Sequence, residues 1–153
     1  MIYRLATKKD IFALAEMRWD FEYEFDKENF NFTKEQFLKS FVELLEIELN
    51  KNWFVWLVED EKEIISNIFI RKIRKIPKPQ KLFSEIAYIT NVYTRKEYRN
   101  KGIGNQLLKN IKEWALKDKV ELLFLWPSEE SIKFYEREGF KKENEILELD
   151  LES

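Results

Sequence analysis

Arg99-Asn100-Lys101-Gly102-Ile103-Gly104 stands between a strand-like run, Ile86 to Tyr93, and a helix-like run, Asn105 to Lys117. The chain has three glycines, and two of them fall in these six residues. Glycine is used where backbone must turn through positive φ or come close to another group. At the start of a helix the segment gathers unpaired N–H groups at the positive end of a helix dipole, with Arg99 and Lys101 beside them. Such a loop suits a pyrophosphate. A plain strand-to-helix turn has the same spacing, and the six residues alone leave both readings open. Two phosphate motifs are excluded: a P-loop needs Lys-Ser/Thr where Asn105 follows Gly104, and a dinucleotide fingerprint needs a small residue where Leu107 stands.

The 153 residues suffice for one domain, 1–153, with a substantial core. A 44% hydrophobic, 16% aromatic composition is that of a folded chain. The 37% of charged residues nearly cancel to a net −2, so no overall field recruits nucleic acid or an anionic membrane surface. The densest apolar run, Trp53 to Val58, is strand-sized, and the Met1-Ile2-Tyr3-Arg4 start lacks the apolar core of a signal peptide. Without cysteine the expected address is cytoplasmic. Absent histidine and cysteine also remove Ser-His-Asp triads, cysteine nucleophiles and His- or Cys-ligated zinc, and no acidic spacing resembles a calcium loop. No metal is expected, and proton transfer falls to carboxylate, tyrosine, lysine, the N-terminal amine or water.

Ile2 to Leu5 reads as a strand. Thr7 with Asp10 forms a capping box before Ile11, Leu14, Ala15 and Trp19 at helical spacing. Thr33 with Gln36 opens a second helix carrying Phe37, Phe41, Leu44, Leu45 and Leu49, and the aromatic, acidic stretch Trp19 to Phe32 connects the two. Strands are predicted at Trp53–Val58, Glu63–Arg71 and Ile86–Tyr93, with a proline-containing loop from Arg71 to Lys81. Leu107, Leu108, Ile111 and Ala115 share one face of the next helix. Val120–Leu125 reads as a strand buried on both faces, followed by Pro127, Ser128 and a short helix ending at Gly139. Ile146–Leu151 alternates apolar and acidic residues and predicts a last strand. The order β-α-α-β-β-β-α-β-α-β gives an α/β fold, a mixed sheet flanked by helices.

With these elements in place, the chain resembles the GNAT superfamily of acyl-CoA-dependent N-acyltransferases. Arg99 to Gly104 matches its Arg/Gln-x-x-Gly-x-Gly/Ala loop, preceded by Glu97-Tyr98. Ser131-Ile132-Lys133-Phe134-Tyr135-Glu136-Arg137-Glu138-Gly139-Phe140 matches its second segment, and Leu147-Glu148-Leu149-Asp150-Leu151 is similar to its final strand. Ser128 departs from an asparagine frequent in the family, and Ser131 from an alanine.

The resemblance implies acetyl-CoA as co-substrate, lying in a gap between the parallel strands Ile86–Tyr93 and Val120–Leu125. The amides of Arg99, Asn100, Lys101, Gly102, Ile103, Gly104 and Asn105 would hold the pyrophosphate. The backbone of Val92, Tyr93 and Thr94 would pair with the pantetheine arm, with Ser128 as a further contact, and the Val92 amide would polarise the thioester carbonyl. Tyr135 is the expected acid to the departing thiolate. A phenol of pKa about 10 suits a thiol of about 8.5. Glu85 and Tyr88 are the candidates for base.

The acceptor is expected to be a primary amine on a small molecule or peptide, attacking directly because no cysteine can carry the acyl group. Glu22, Glu24 and Asp26 are either a cation-binding set or a solvated face, and the aromatic residues Trp19 to Phe32 suit a partly apolar acceptor, a homodimer contact or core. The run Arg71, Lys72, Arg74, Lys75, Lys78 and Lys81 is read as a solvated hairpin end. The rival reading is a non-catalytic acyl-CoA-binding or partner-binding module on the same fold.

Overall fold

The computed structural model describes residues 1–143 and 146–152. Five strands, β1 (Ile2–Leu5), β2 (Trp53–Asp60), β3 (Glu63–Arg74), β4 (Glu85–Thr94) and β5 (Val120–Phe124), form one sheet in sequence order. Neighbours run antiparallel from β1 to β4, and β4 and β5 are parallel. Four helices cover it: α1 (Ile11–Asp26), α2 (Lys34–Glu48), α3 (Ile103–Lys117) and α4 (Ile132–Arg137).

Both capping boxes form. The Thr7 N–H donates to Asp10 Oδ2 at 2.7 Å, and Thr33 exchanges bonds of 2.9 and 3.2 Å with Gln36. The helix after the first box runs further than its sequence periodicity suggests. The stretch Trp19 to Asp26, expected as connection, continues α1, and only Lys27–Asn29 forms a short 3-10 turn before α2. No glycine or proline interrupts it, and an Arg18–Glu22 ion pair of 2.6 Å one turn apart supports it.

The two faces of the sheet bury different layers. Leu14, Met17, Leu45, Val55, Leu57 and Phe69 pack under α1 and α2. Ile65, Ile68, Ile70, Ile89, Leu107, Leu108 and Ile111 pack under α3. Covered on both sides, β3 is buried without interruption from Ile64 to Ile70.

Two expectations fail at the opposite edge. Residues Ile146 to Leu151 form no strand; Leu147, Leu149 and Leu151 are 96%, 83% and 88% exposed. Their alternation supplies one apolar face, but the face meets no layer and the backbone meets no sheet edge. A Trp126 Nε1 hydrogen bond to Glu148 of 2.7 Å is a contact of this segment with the body. Consequently β5, expected to be buried on both faces, is an edge strand, with Glu121 and Leu122 exposed. A continuous apolar run does not distinguish a central strand from an edge.

Candidate active site

Pairing between β4 and β5 covers Glu85 to Tyr88 against Val120 to Phe124 and ends there. Beyond Tyr88 the strands part, and the β4 backbone from Ile89 to Thr94 continues with no β5 partner. A cavity of about 280 Å³ opens at the fork, lined by Tyr88 to Val92, by Leu125 to Ser128, and by Ser131, Phe134 and Tyr135.

A bulge aims the β4 wall. Asn67 and Phe69 of β3 face Tyr93 and Thr90, so Asn91 and Val92 together oppose Ile68. Asn91 takes φ 51°, the left-handed conformation that asparagine tolerates best among residues other than glycine. Its side chain accepts a 2.9 Å bond from Arg18 Nη1 on α1. An asparagine inside a β-branched and aromatic run was the available signal for this bulge, and neither Asn91 nor Arg18 was expected at the site.

Tyr135 is buried in α4, its ring edge-on to Phe134 at 5.0 Å and to Phe140 at 5.7 Å. Burial pushes its phenol above the ordinary tyrosine value, with no hydrogen bond contributing. Tyr88 stacks on Phe124 at 5.6 Å and meets Trp126 edge-on at 5.2 Å, closing the paired end of the cavity. Glu85 lies outside the lining, level with Val120 where the strands are still joined. Ser128 lines the cavity and donates to Ser131 Oγ at 3.0 Å.

Tyr93 and Thr94 turn their polar groups elsewhere. The Tyr93 ring stacks on Phe21 at 4.7 Å and its hydroxyl donates to Glu24 at 3.0 Å. Ser66 Oγ donates to the Tyr93 carbonyl at 3.0 Å, and the Thr94 carbonyl accepts from Arg99 Nε at 2.8 Å. Arg99 itself grips Glu24 through two bonds of 2.8 Å, its guanidinium 5.4 Å from the centre of the Tyr93 ring. That pairing holds the Glu24 carboxyl below its usual range. The Arg99 side chain thus braces α1 against the loop, and the Lys101 ammonium lies over Tyr98 at 5.5 Å.

Apart from Arg99, whose N–H donates to the Lys96 carbonyl at 3.3 Å, the loop keeps its free amides. Gly102 stands at φ 79°, immediately before α3, and a Cβ there would meet nothing within 4 Å. That left-handed conformation turns the chain into α3, with open space on the side where a side chain would stand. Gly104 differs: a Cβ would come within 3.1 Å of Phe134 Cζ. Its smallness lets α4 pack on the start of α3, and Phe134 joins the loop to the cavity.

The chain matches the family model described as the acetyltransferase (GNAT) domain over residues 51–142. It belongs to the GNAT family. This GNAT chain is similar to a predicted acetyltransferase from Clostridium acetobutylicum solved with acetyl-CoA. The two are 25% identical over 98% of this chain and 96% of that one, with a TM-score of 0.73. A Trypanosoma brucei acetyltransferase (18% identity, TM-score 0.72, 98% and 99% covered) shares the fold. So does a GCN5-related N-acetyltransferase from Ralstonia eutropha JMP134 (19% identity, TM-score 0.71, 97% of both chains covered). Acetyl transfer is therefore its reaction class.

The GNAT site's own geometry fits acetyl-CoA: a free strand edge for an extended arm, a cavity at the fork, and open amides at the α3 start. Among the described residues no three acidic side chains gather as a metal site would need, and no helix is long and apolar enough to cross a membrane. Four of the six residues in the basic run are ion-paired. Arg71 pairs with Glu48, Lys72 with Asp118, and Lys75 and Lys81 with Glu121, while Arg74 lies over Phe83.

Proposed function

We propose that the protein transfers an acetyl group from acetyl-CoA to a primary amine by direct attack at the fork between β4 and β5. The observation that carries the reading is the buried Tyr135 in the cavity wall, opposite the unpaired β4 edge. When bound, acetyl-CoA supplies an activated thioester. The amides of Asn100 to Asn105 hold its phosphates, with Gly102 giving them room; the Arg99 N–H, bonded to the Lys96 carbonyl, takes no part. The β4 edge near Val92 orients the arm, the Thr94 carbonyl being taken by Arg99, and the Val92 N–H polarises the acyl carbonyl. Ser128, from the facing wall, narrows the passage.

Tyr135 delivers its proton to the sulfur as the thiolate leaves. Its raised pKa keeps that proton in place at neutral pH, and loss to a thiolate in a water-poor pocket replaces one buried anion by another. The attacking amine loses its proton through Tyr88 and water along the same wall; Glu85, at the joined end of the strands, takes no part. The absence of cysteine supports direct attack and is compatible with the cytoplasm.

Calorimetric titration with acetyl-CoA and with CoA tests the reading, followed by amine-dependent thiol release. Micromolar binding of both and turnover with an amine is the expected result. Failure of both to bind overturns it, and binding without turnover across an amine panel leaves a non-catalytic acyl-CoA module.

A further inference from the structure

The bulge at Asn91 and Val92 is held from outside the sheet. Side chains spaced one turn apart on α1 fasten β4 on both sides of Val92. Before it, Arg18 Nη1 donates to Asn91 Oδ1 at 2.9 Å. After it, the Phe21 ring stacks on Tyr93 at 4.7 Å, and Glu24 accepts from the Tyr93 hydroxyl at 3.0 Å. The Val92 side chain itself packs into the layer under α3. A bulge loosens the ladder where it occurs, so contacts of this kind decide how it turns.

Arg18 is oriented before it reaches Asn91. Its Nη2 pairs with Glu22 at 2.6 Å, and its guanidinium carbon lies 5.2 Å from the centre of the Phe21 ring. On its other side Arg18 borders a second cavity, of about 340 Å³, between the C-terminal half of α1 and the start of α2. Trp19, Phe30, Phe32 and Phe37 supply the aromatic walls there. The remaining carboxylate, Asp26, accepts from the neutral Asn29 amide at 2.6 Å and pairs with no cation among the described residues, which leaves the guanidinium to Glu22 and Asn91. Arg18 lines this cavity and Asn91 the first, so their bond is part of the partition between them.

Stability is a weak reason for the arrangement. The Arg18 and Glu22 side chains are 33% and 37% exposed, where an ion pair contributes little. Asn91 meanwhile holds an unfavourable φ of 51° in the cavity wall. We propose that Arg18 is a positioning residue for acetyl transfer: through Asn91 it fixes the bulge, and with it the place of the Val92 N–H against the thioester carbonyl. Arg18 is absent from the lining of the fork cavity, so it acts without touching the co-substrate. The proposal rests on the acetyl-transfer reading and adds to it a residue from α1. A strand edge displaced by a fraction of an ångström still binds an extended arm along its length, but it no longer meets the charge that develops on the carbonyl oxygen.

The test reads that carbonyl directly, by infrared difference spectroscopy of bound acetyl-CoA isotopically labelled at its acyl carbonyl, alongside calorimetric Kd values for acetyl-CoA and CoA. In the wild type the bound carbonyl absorbs at lower frequency than the free one, as a polarised carbonyl does. Arg18→Met keeps a long, helix-favouring side chain and removes the donors. It loses about half of the frequency shift while both Kd values stay within about twofold. Asn91→Gly, which tolerates the φ of 51°, loses a similar share, and the double variant loses no more than either alone. A band at the wild-type position in Arg18→Met overturns the proposal. So do additive losses in the double variant, and so does CoA binding weakened about tenfold by Arg18→Met, which would make Arg18 a general support of the site. If the wild type binds acetyl-CoA with its carbonyl band unshifted, the positioning role falls and the binding stands. If acetyl-CoA does not bind, the acetyl-transfer reading falls and the positioning role with it.

Discussion

The two cavities on either side of the Arg18–Asn91 bond are built from different materials. The one at the β4–β5 fork has a bulged strand edge for one wall, and outside its lining, reached through Phe134, lie a helix start and a glycine with open space beside it. The one between α1 and α2 is formed by side chains, four aromatic residues and an unpaired carboxylate. Backbone recognition fixes geometry and tolerates few alternatives, so it leaves a motif. Side-chain recognition is composed from residues scattered over Trp19 to Phe37 and leaves only a composition.

The largest break in that contrast comes from a side chain inside the backbone-built site. Tyr135→Phe lowers kcat by about 100-fold while the Kd for acetyl-CoA stays within about twofold. Thiol release reads the rate without background, since the chain has no cysteine. Because burial raises the Tyr135 pKa, the proton-donating form persists as pH rises, and kcat has no tyrosine-dependent fall below about pH 10. A fall beginning near neutrality would assign the proton to another group.

Next in size is Gly102→Val. It forces a β-branched residue to φ 79° at a cost of about 2 kcal/mol and covers the helix amides, so acetyl-CoA affinity drops at least about tenfold. Gly102→Asn, which tolerates that φ, isolates the strain. Calorimetry on both variants shows whether open space or conformation matters.

The partition is probed at Asn91. Asn91→Ala loses the Arg18 bond and keeps the unfavourable φ, whereas Asn91→Gly loses only the bond. Urea unfolding places the alanine variant about 1 kcal/mol below the glycine one. Equal stabilities would mean that the bulge relaxes when its hydrogen bond goes.

The smallest effect belongs to Glu24→Gln, which weakens the Arg99 brace by less than about 1 kcal/mol because the pair is partly solvated. The pairing depresses the Glu24 carboxyl, so its stabilisation is complete above the ordinary value of 4.5 and is lost as pH falls through the lowered one. Wild type and variant therefore converge in acid. Tighter acetyl-CoA binding by the variant would show Arg99 released to the phosphates and would contradict its role as a brace.

Several elements followed from short-range rules. Both capping boxes, the helix face Leu107, Leu108, Ile111 and Ala115, and the left-handed Gly139 at φ 96° stand where spacing put them. What failed depended on neighbours. The alternation of Ile146 to Leu151 describes a strand that here finds no edge, and Val120 to Leu125 reads as central although β5 is peripheral. At the site, Gly104 serves the packing of Phe134 and Arg99 serves Glu24, roles that need residues distant in sequence.

The sequence by itself determined the glycine-bearing strand-to-helix loop, the α4 tyrosine and the absence of histidine and cysteine chemistry. Each is a matter of residue identity and spacing within a few turns of chain. Only the tertiary structure decided where β4 and β5 part, which way Asn91 turns the strand, and that Asp26 is left without a cation. Those are properties of pairing and packing between segments tens of residues apart, which no local pattern encodes.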